Sequence, residues 1–343
     1  MSGVAGRRGS RPGIACAGNF ILDRVKFIDV YPAQDALANI GSESQSNGGA
    51  AYNVLLDLAN LGADFPLEAI GCVGDDATGR FVIDDCAAHG VDVGQLHAIS
   101  GTPTSYTDVM TVRSTGRRTF FHQRGANAHL GAEHFDFPKL RSGHLHLGYI
   151  LLLDRLDALD DEYGTVAARV LSTAQASGLT TSIDVVSEDS DRFRSRVLPA
   201  LAHVDVAFMN EFEASRTSGV PIVVGGEIDR DGLESAAQAI LDEGRMGLLV
   251  IHTPRSGFAW TRDGQFFEQG SVKMPTDRVV STVGAGDAFA AGFLLAWRSG
   301  QAVPEALRLG VCAAASCVTA AGTSEGVRSA KECLALADEL GTW

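Results

Sequence analysis

Between residues 145 and 252, short apolar runs alternate with longer segments whose apolar positions recur every three to four residues. Strands are expected at 145–147, 181–185, 204–209 and Leu248–His252, with helices within 154–177, near 191–202 and over 232–244. A helix between successive strands forces crossover connections, hence parallel pairing, and a parallel sheet must be covered on both faces. The same rhythm opens the chain, with a strand at Ile14–Gly18 and then Val54, Leu55, Leu58 and Leu61 at helical spacing. After a hairpin at 258–260 and 265–268, three helices near 286–299, 304–321 and 329–340 close it. The expected fold class is α/β: a doubly wound, mostly parallel sheet with helices on both faces.

Two segments break the rhythm. Residues 23–47 alternate at first, through Val25, Phe27 and Val30, and then turn polar and rich in Gly and Ser. Residues 104–124 read as a hairpin in which 108–112 and 119–121 flank a turn at Ser114, Thr115 and Gly116. The two inserts are expected to pair into a small, discontinuous β-sheet lid on one α/β domain made of 13–22, 48–103 and 125–343. Residues 1–12 carry Arg7, Arg8 and Arg11 among Gly and Ser, without the apolar core of a signal peptide, and read as a flexible leader.

Charge and cysteine usage narrow the function. With 28 basic against 42 acidic side chains the chain carries a net −14, which repels nucleic acid and anionic membranes. Six cysteines show neither zinc-site spacing nor the density of a disulfide scaffold, and no stretch approaches 18 apolar residues, so a cytoplasmic setting is expected.

Chemistry concentrates at Gly284, Ala285, Gly286 and Asp287, just before a run of helical apolar spacing. Small residues at a helix start leave N–H groups uncovered, and with the macrodipole these favour a phosphate. Asp287 falls in the first turn, where the same field favours its carboxylate form, suited to taking a proton from an attacking hydroxyl. The alternative is structural: Thr282 or Gly284 caps the helix and Asp287 merely complements the dipole. The segment lacks the glycine that G-x-G-x-x-G needs at Phe289, and no Gly-Lys-Ser/Thr follows, so neither a dinucleotide fingerprint nor a P-loop applies.

Gly48 and Gly49 open a helix that Gly62 closes, and Asn53 sits one turn in, where it can meet substrate hydroxyls. Asn210 and Glu213 lie three apart just past a strand, at the carboxyl edge where open α/β sheets bind ligands. They suit either Mg²⁺ held through water or a helix capping box. The stretch from Gly71 to Gly79 reads as a strand end and helix start with a structural role.

In this order the segments resemble the ribokinase-like carbohydrate kinases, the PfkB family, from about residue 14 to 327. Gly48 and Gly49 are similar to that family's first signature, 282–289 to its second, and Asn210 with Glu213 to its Asn-x-x-Glu element. The resemblance implies a β lid over a sugar site and phosphoryl transfer from Mg-ATP to a hydroxyl. It makes Asp287 the base, and Gly284, Ala285 and Gly286 the anion hole. Asp23, Gly48, Gly49 and Asn53 would bind substrate, while Asn210, Glu213, Thr282 and Gly257 would face the nucleotide, with Mg²⁺ at Asn210 and Glu213. Ser281 stands where many members carry Asp, in a region that contributes to a monovalent-cation site, which leaves potassium dependence open. Ala50 and Ala51 stand where ribokinase has a Lys after its paired glycines, and of the Lys-x-Gly-x-x-Gly often found at 252–257 only Gly257 remains.

Arg117, Arg118 and Arg124 lie on or just after the lid hairpin, and Arg124 is the expected partner of a substrate carboxylate or phosphate, pointing to an acidic sugar. A solvated hairpin face is the alternative for Arg117 and Arg118. A nucleoside kinase, with Phe120, Phe121 or Tyr106 stacked on a base, and a non-catalytic sugar or nucleotide sensor are the rival functions. His122, His144 and His146 sit on strands without a completing ligand set, which favours core or surface roles over metal binding. Apolar lid faces at Phe27, Val109 and Phe121 predict a homodimer through the lid.

Overall fold

The computed structural model describes residues 11–343. The first ten residues of the expected leader lie outside that range. Arg11, assigned to the leader, is instead tied to the body: its Nη1 donates to the Leu140 carbonyl (2.6 Å) and its own carbonyl accepts from Arg298 (2.9 Å).

The main sheet is built from β1 (Ile14–Gly18), β4 (Leu67–Gly74), β5 (Asp92–Ile99), β8 (His144–Ile150), β9 (Thr180–Val185), β10 (Val206–Asn210), β11 (Leu248–His252), β12 (Ser256–Thr261) and β13 (Phe266–Gly270). Their order across it is β13-β12-β11-β10-β9-β8-β1-β4-β5. Every pair from β5 to β11 is parallel, and the hairpin of β12 and β13 extends the sheet antiparallel. The inner parallel strands are covered on both faces, and Ile14, Ile70, Leu145, Ile183, Phe208 and Val250 along them are all fully buried.

One face is covered by α1 (Ala50–Leu61), α7 (Ala285–Arg298) and α8 (Val303–Cys317), which build a core around Tyr52, Leu55, Phe208 and Phe293. The other is covered by α3 (Val166–Ala176), α4 (Phe193–Leu201) and α6 (Arg230–Glu243), around Leu147, Leu171 and Ile240. The helix expected within 154–177 starts only at Val166, because Asp157 and Asp160 accept hydrogen bonds from nearby backbone N–H groups and hold 151–163 in turns. Among the described residues no helix is long and apolar enough to cross a membrane.

The inserts form a separate four-stranded sheet from β2 (Ile21–Ile28), β3 (Ile40–Gly48), β6 (Tyr106–Val112) and β7 (Arg118–Gln123), ordered β3-β2-β6-β7. Pairing of β2 with β6 joins the two inserts. Of the apolar lid positions expected to be available, Val109 is buried and Phe27 half-buried, whereas Phe121 is exposed.

The chain leaves β1 toward β4 and β5, then returns to β8 and proceeds the other way. The strand order therefore reverses beside β1. Open α/β sheets bind ligands at the carboxyl ends of strands flanking such a reversal. The lid strands leave the sheet from that same edge, since β2 begins three residues after β1 ends.

Candidate active site

A cavity of about 930 Å³ lies between the lid and the carboxyl edge of the sheet. Its floor is made by strand ends, Tyr149 of β8, Asp184 of β9, Asn210 of β10 and His252 of β11, together with the start of α7. Asp23, Thr107, Phe120 and His122 face it from the lid.

The start of α7 has the openness its small residues imply. Gly284 occupies the N-cap position in the left-handed region (φ +81°), with no side chain capping the helix. A Cβ there would lie 2.5 Å from the Thr323 carbonyl oxygen, so only glycine fits. Gly284, Ala285 and Gly286 all line the cavity.

Asp287 is buried, and its Oδ2 accepts from Asn53 Nδ2 (2.7 Å) and Tyr149 OH (2.9 Å). Asn53 is itself oriented, because its Oδ1 accepts from Asn47 Nδ2 (2.8 Å), which also donates to Ser324 Oγ. Asp287 Oδ1 is buried without a partner. Burial pushes this carboxyl up to about 6, against the two donors that hold it down. Loss of hydration is therefore the largest influence on its ionisation, and the group is still largely ionised at neutral pH.

Asp23 leaves β2 at the lid hinge, with its carboxyl against Gly48, where an added Cβ would come within 2.6 Å of it. Burial raises Asp23 to about 7, Thr107 donating to it and the nearby Asp287 raising it further. Glu213 also rises to about 7 through burial, and Asp184 well above the usual carboxylate range through burial and the charges of Glu213 and Asp287.

Asn210 and Glu213 form the capping box of α5 (Glu211–Ser218): Glu213 N donates to Asn210 Oδ1 (2.9 Å) and Asn210 N to Glu213 Oε2 (2.8 Å). Both also line the cavity, so the structural and the ligand-facing readings hold together. Among the described residues no three His, Cys, Asp or Glu side chains converge into a metal cage. Buried carboxylates that raise one another's proton affinity, without such a cage, fit a hard cation that keeps its waters and binds phosphate oxygens.

The sequence matches the pfkB family carbohydrate kinase model over residues 14–330. This chain belongs to the PfkB family of carbohydrate kinases. It is 29% identical over 318 residues to an ATP-dependent ribose-1-phosphate kinase of Halopiger xanaduensis, spanning 92% of this chain and 94% of that one. A nucleoside kinase of Methanocaldococcus jannaschii is 24% identical over 309 residues, covering 90% and 91% of the two chains. Among solved structures, Arabidopsis thaliana ribokinase complexed with ribose and ATP superposes with a TM-score of 0.78 at 21% identity, over 95% of this chain and 98% of that one.

In this PfkB chain Asp23, Gly49, Asn53, Asn210, Glu213, Thr282 and the 284–287 segment all reach one cavity. Gly48 backs Asp23 rather than lining the space. Two further expected site residues also stay outside it. Gly257 lies on β12 under the Phe289 ring, where a Cβ would come within 2.8 Å of Cε2. Arg124 is turned away and its Nη1 donates to Asp154 (2.6 Å), so its charge is already met. His144 and His146 are buried and bonded to Thr180 and Ser182, as core roles require, whereas His122 lines the cavity.

Tyr149 and Asp184 went unremarked in the sequence. The signal was there: Tyr149 lies two residues past the strand expected at 145–147 and Asp184 next to the end of that expected at 181–185, close to the carboxyl edge that singled out Asn210.

Proposed function

We propose that this chain transfers the γ-phosphoryl group of ATP to a hydroxyl of a sugar-like substrate, with Asp287 as general base. The observation that carries this reading is the pair of oxygens on Asp287: Oδ2 is fixed by Asn53 and Tyr149, and Oδ1 is buried and unpartnered at the start of α7. A carboxylate held by one oxygen leaves the other to accept the hydroxyl proton, and a proton affinity near neutrality suits that task. Asp23 holds neighbouring substrate hydroxyls, aided by Thr107 and Asn53. The open first turn of α7 receives charge from the phosphoryl oxygens in flight. Asn210, Glu213 and Asp184 would hold Mg²⁺ through water, which neutralises nucleotide phosphate charge when bound. Closure of the lid excludes water and suppresses ATP hydrolysis.

Among the described residues the main cavity is lined by no Lys or Arg, and Arg124 is committed to Asp154. The acid-binding role expected of Arg124 therefore has no support from its placement. The names of the relatives leave ribose, ribose 1-phosphate and nucleosides as acceptor classes to be tried first. An ATP-dependent screen across neutral sugars, sugar acids, sugar phosphates and nucleosides tests the reading. Phosphorylation of at least one class is expected, and ADP release that no acceptor stimulates overturns it. Homodimerisation belongs to the same proposal: Phe121 on β7 and Leu37 between β2 and β3 stand 52% and 82% exposed on the lid.

A further inference from the structure

Arg118, on the lid strand β7, reaches across to the body, where its Nη2 donates to Ser281 Oγ (3.0 Å). It is half-buried, and among the described residues no carboxylate pairs with it. Ser281 Oγ already accepts from Val283 N (3.2 Å), so a neutral hydroxyl shared by two donors is all that meets this cation. A carboxylate at position 281 would absorb the charge, whereas serine leaves it uncompensated. A guanidinium partly stripped of water, with one neutral hydroxyl as its protein partner, is an unfinished binding group.

Beside it lies a second cavity of about 380 Å³, lined by Gly116, Arg118, Val280 and Ser281 together with Phe120, Val279, Thr282 and Val283. Those last four residues also line the main cavity, so the two spaces join next to the segment leading into Gly284. The main cavity offers five carboxylates, Asp23, Asp184, Glu211, Glu213 and Asp287, and among the described residues no Lys or Arg. Among the described residues, a phosphate group placed there finds positive charge at the start of α7 and at the junction with Arg118.

We propose that Arg118 is a phosphate-binding residue carried by the lid, which takes the oxyanion of a phosphate group at the junction of the two cavities. In the resting arrangement Ser281 holds the guanidinium in place, and on lid closure the phosphate replaces the hydroxyl as its partner. Lid position is thereby coupled to occupancy of the anion site, since Arg118 lies on the lid sheet and Ser281 in the segment of the body that leads into α7. The inference rests on the kinase reading above. Two phosphates have the right chemistry, the terminal phosphate of the nucleotide and a phosphate on the acceptor.

Comparison of Arg118→Gln and Arg118→Lys with the unmodified protein separates them. Calorimetry with the Mg²⁺ complex of β,γ-imido-ATP needs no turnover. It therefore reports on Arg118 even if every acceptor fails, an outcome that would remove the kinase reading instead. Loss of one charge-assisted hydrogen bond predicts about 10- to 100-fold weaker interaction for Arg118→Gln, with partial recovery in Arg118→Lys. A loss in nucleotide affinity and in kcat/KM with every acceptor assigns the nucleotide phosphate. A loss confined to kcat/KM for phosphorylated acceptors assigns the acceptor phosphate. Unchanged nucleotide affinity together with unchanged kcat/KM for neutral and phosphorylated acceptors overturns the proposal.

Discussion

Tyr149→Phe removes a single hydroxyl that donates to Asp287 Oδ2 at 2.9 Å and keeps the ring that fills the space. Asp287 stands at about 6 because burial lifts it while the Asn53 and Tyr149 donors restrain the rise. Taking away one donor to a charged acceptor costs the carboxylate about 1.5–3 kcal/mol. At 1.36 kcal/mol per pKa unit this is about 1–2 units, which moves the group to about 7–8. The base works ionised, so activity rises with pH through this value, and the variant must rise later. At pH 6 the ionised fraction, and with it kcat/KM, falls by about 5- to 50-fold, while near pH 9 the two enzymes converge. The assay is the pH profile of kcat/KM between pH 5 and 9 on the best acceptor. An acid limb that stays in place in Tyr149→Phe refutes the assignment of that limb to Asp287, and a uniform loss at all pH values points to a positional role for Tyr149.

Asp23→Asn should weaken acceptor binding by about 10-fold or more, seen in KM, while stabilising the ligand-free fold. The sign follows from the raised Asp23: its contribution to stability is full below about pH 4 and is lost as pH rises through about 7, so the gain in Tm over the unmodified protein should grow between pH 5 and 8. A gain that shrinks with pH contradicts the buried-carboxyl account. Gly284→Ala forces a Cβ to within 2.5 Å of the Thr323 carbonyl at a left-handed position, and kcat should fall by about 10²-fold or more with the fold retained by circular dichroism. Near-normal kcat in that variant removes the open turn from the mechanism.

The parallel sheet was legible because short runs such as 181–185 and 248–252 alternate with longer segments of helical spacing, the first mixing Thr, Ser and Asp with Ile and Val and the second almost wholly apolar. The lid was legible for a different reason: residues 23–47 and 104–124 break the rhythm without being long disordered loops. The start of α3 was not legible, since Asp157 and Asp160 act through turns whose partners lie in the folded backbone. At the site, Gly284 and Asp287 announce themselves by local sequence. Arg118 and Arg124 do not, because exposure and pairing are decided by Ser281, 163 residues away, and by Asp154. Two arginines six residues apart on one hairpin thus meet opposite fates that no local pattern encodes.

The role of Asp287 is the central claim, and Asp287→Asn tests it most directly. Asparagine preserves the shape and can still accept from Asn53 and Tyr149, but it cannot take a proton. Single-turnover phosphoryl transfer to the best acceptor should fall by about 10²–10⁴-fold while β,γ-imido-ATP still binds. Transfer within a few-fold of the unmodified protein, with nucleotide binding intact, would contradict the account.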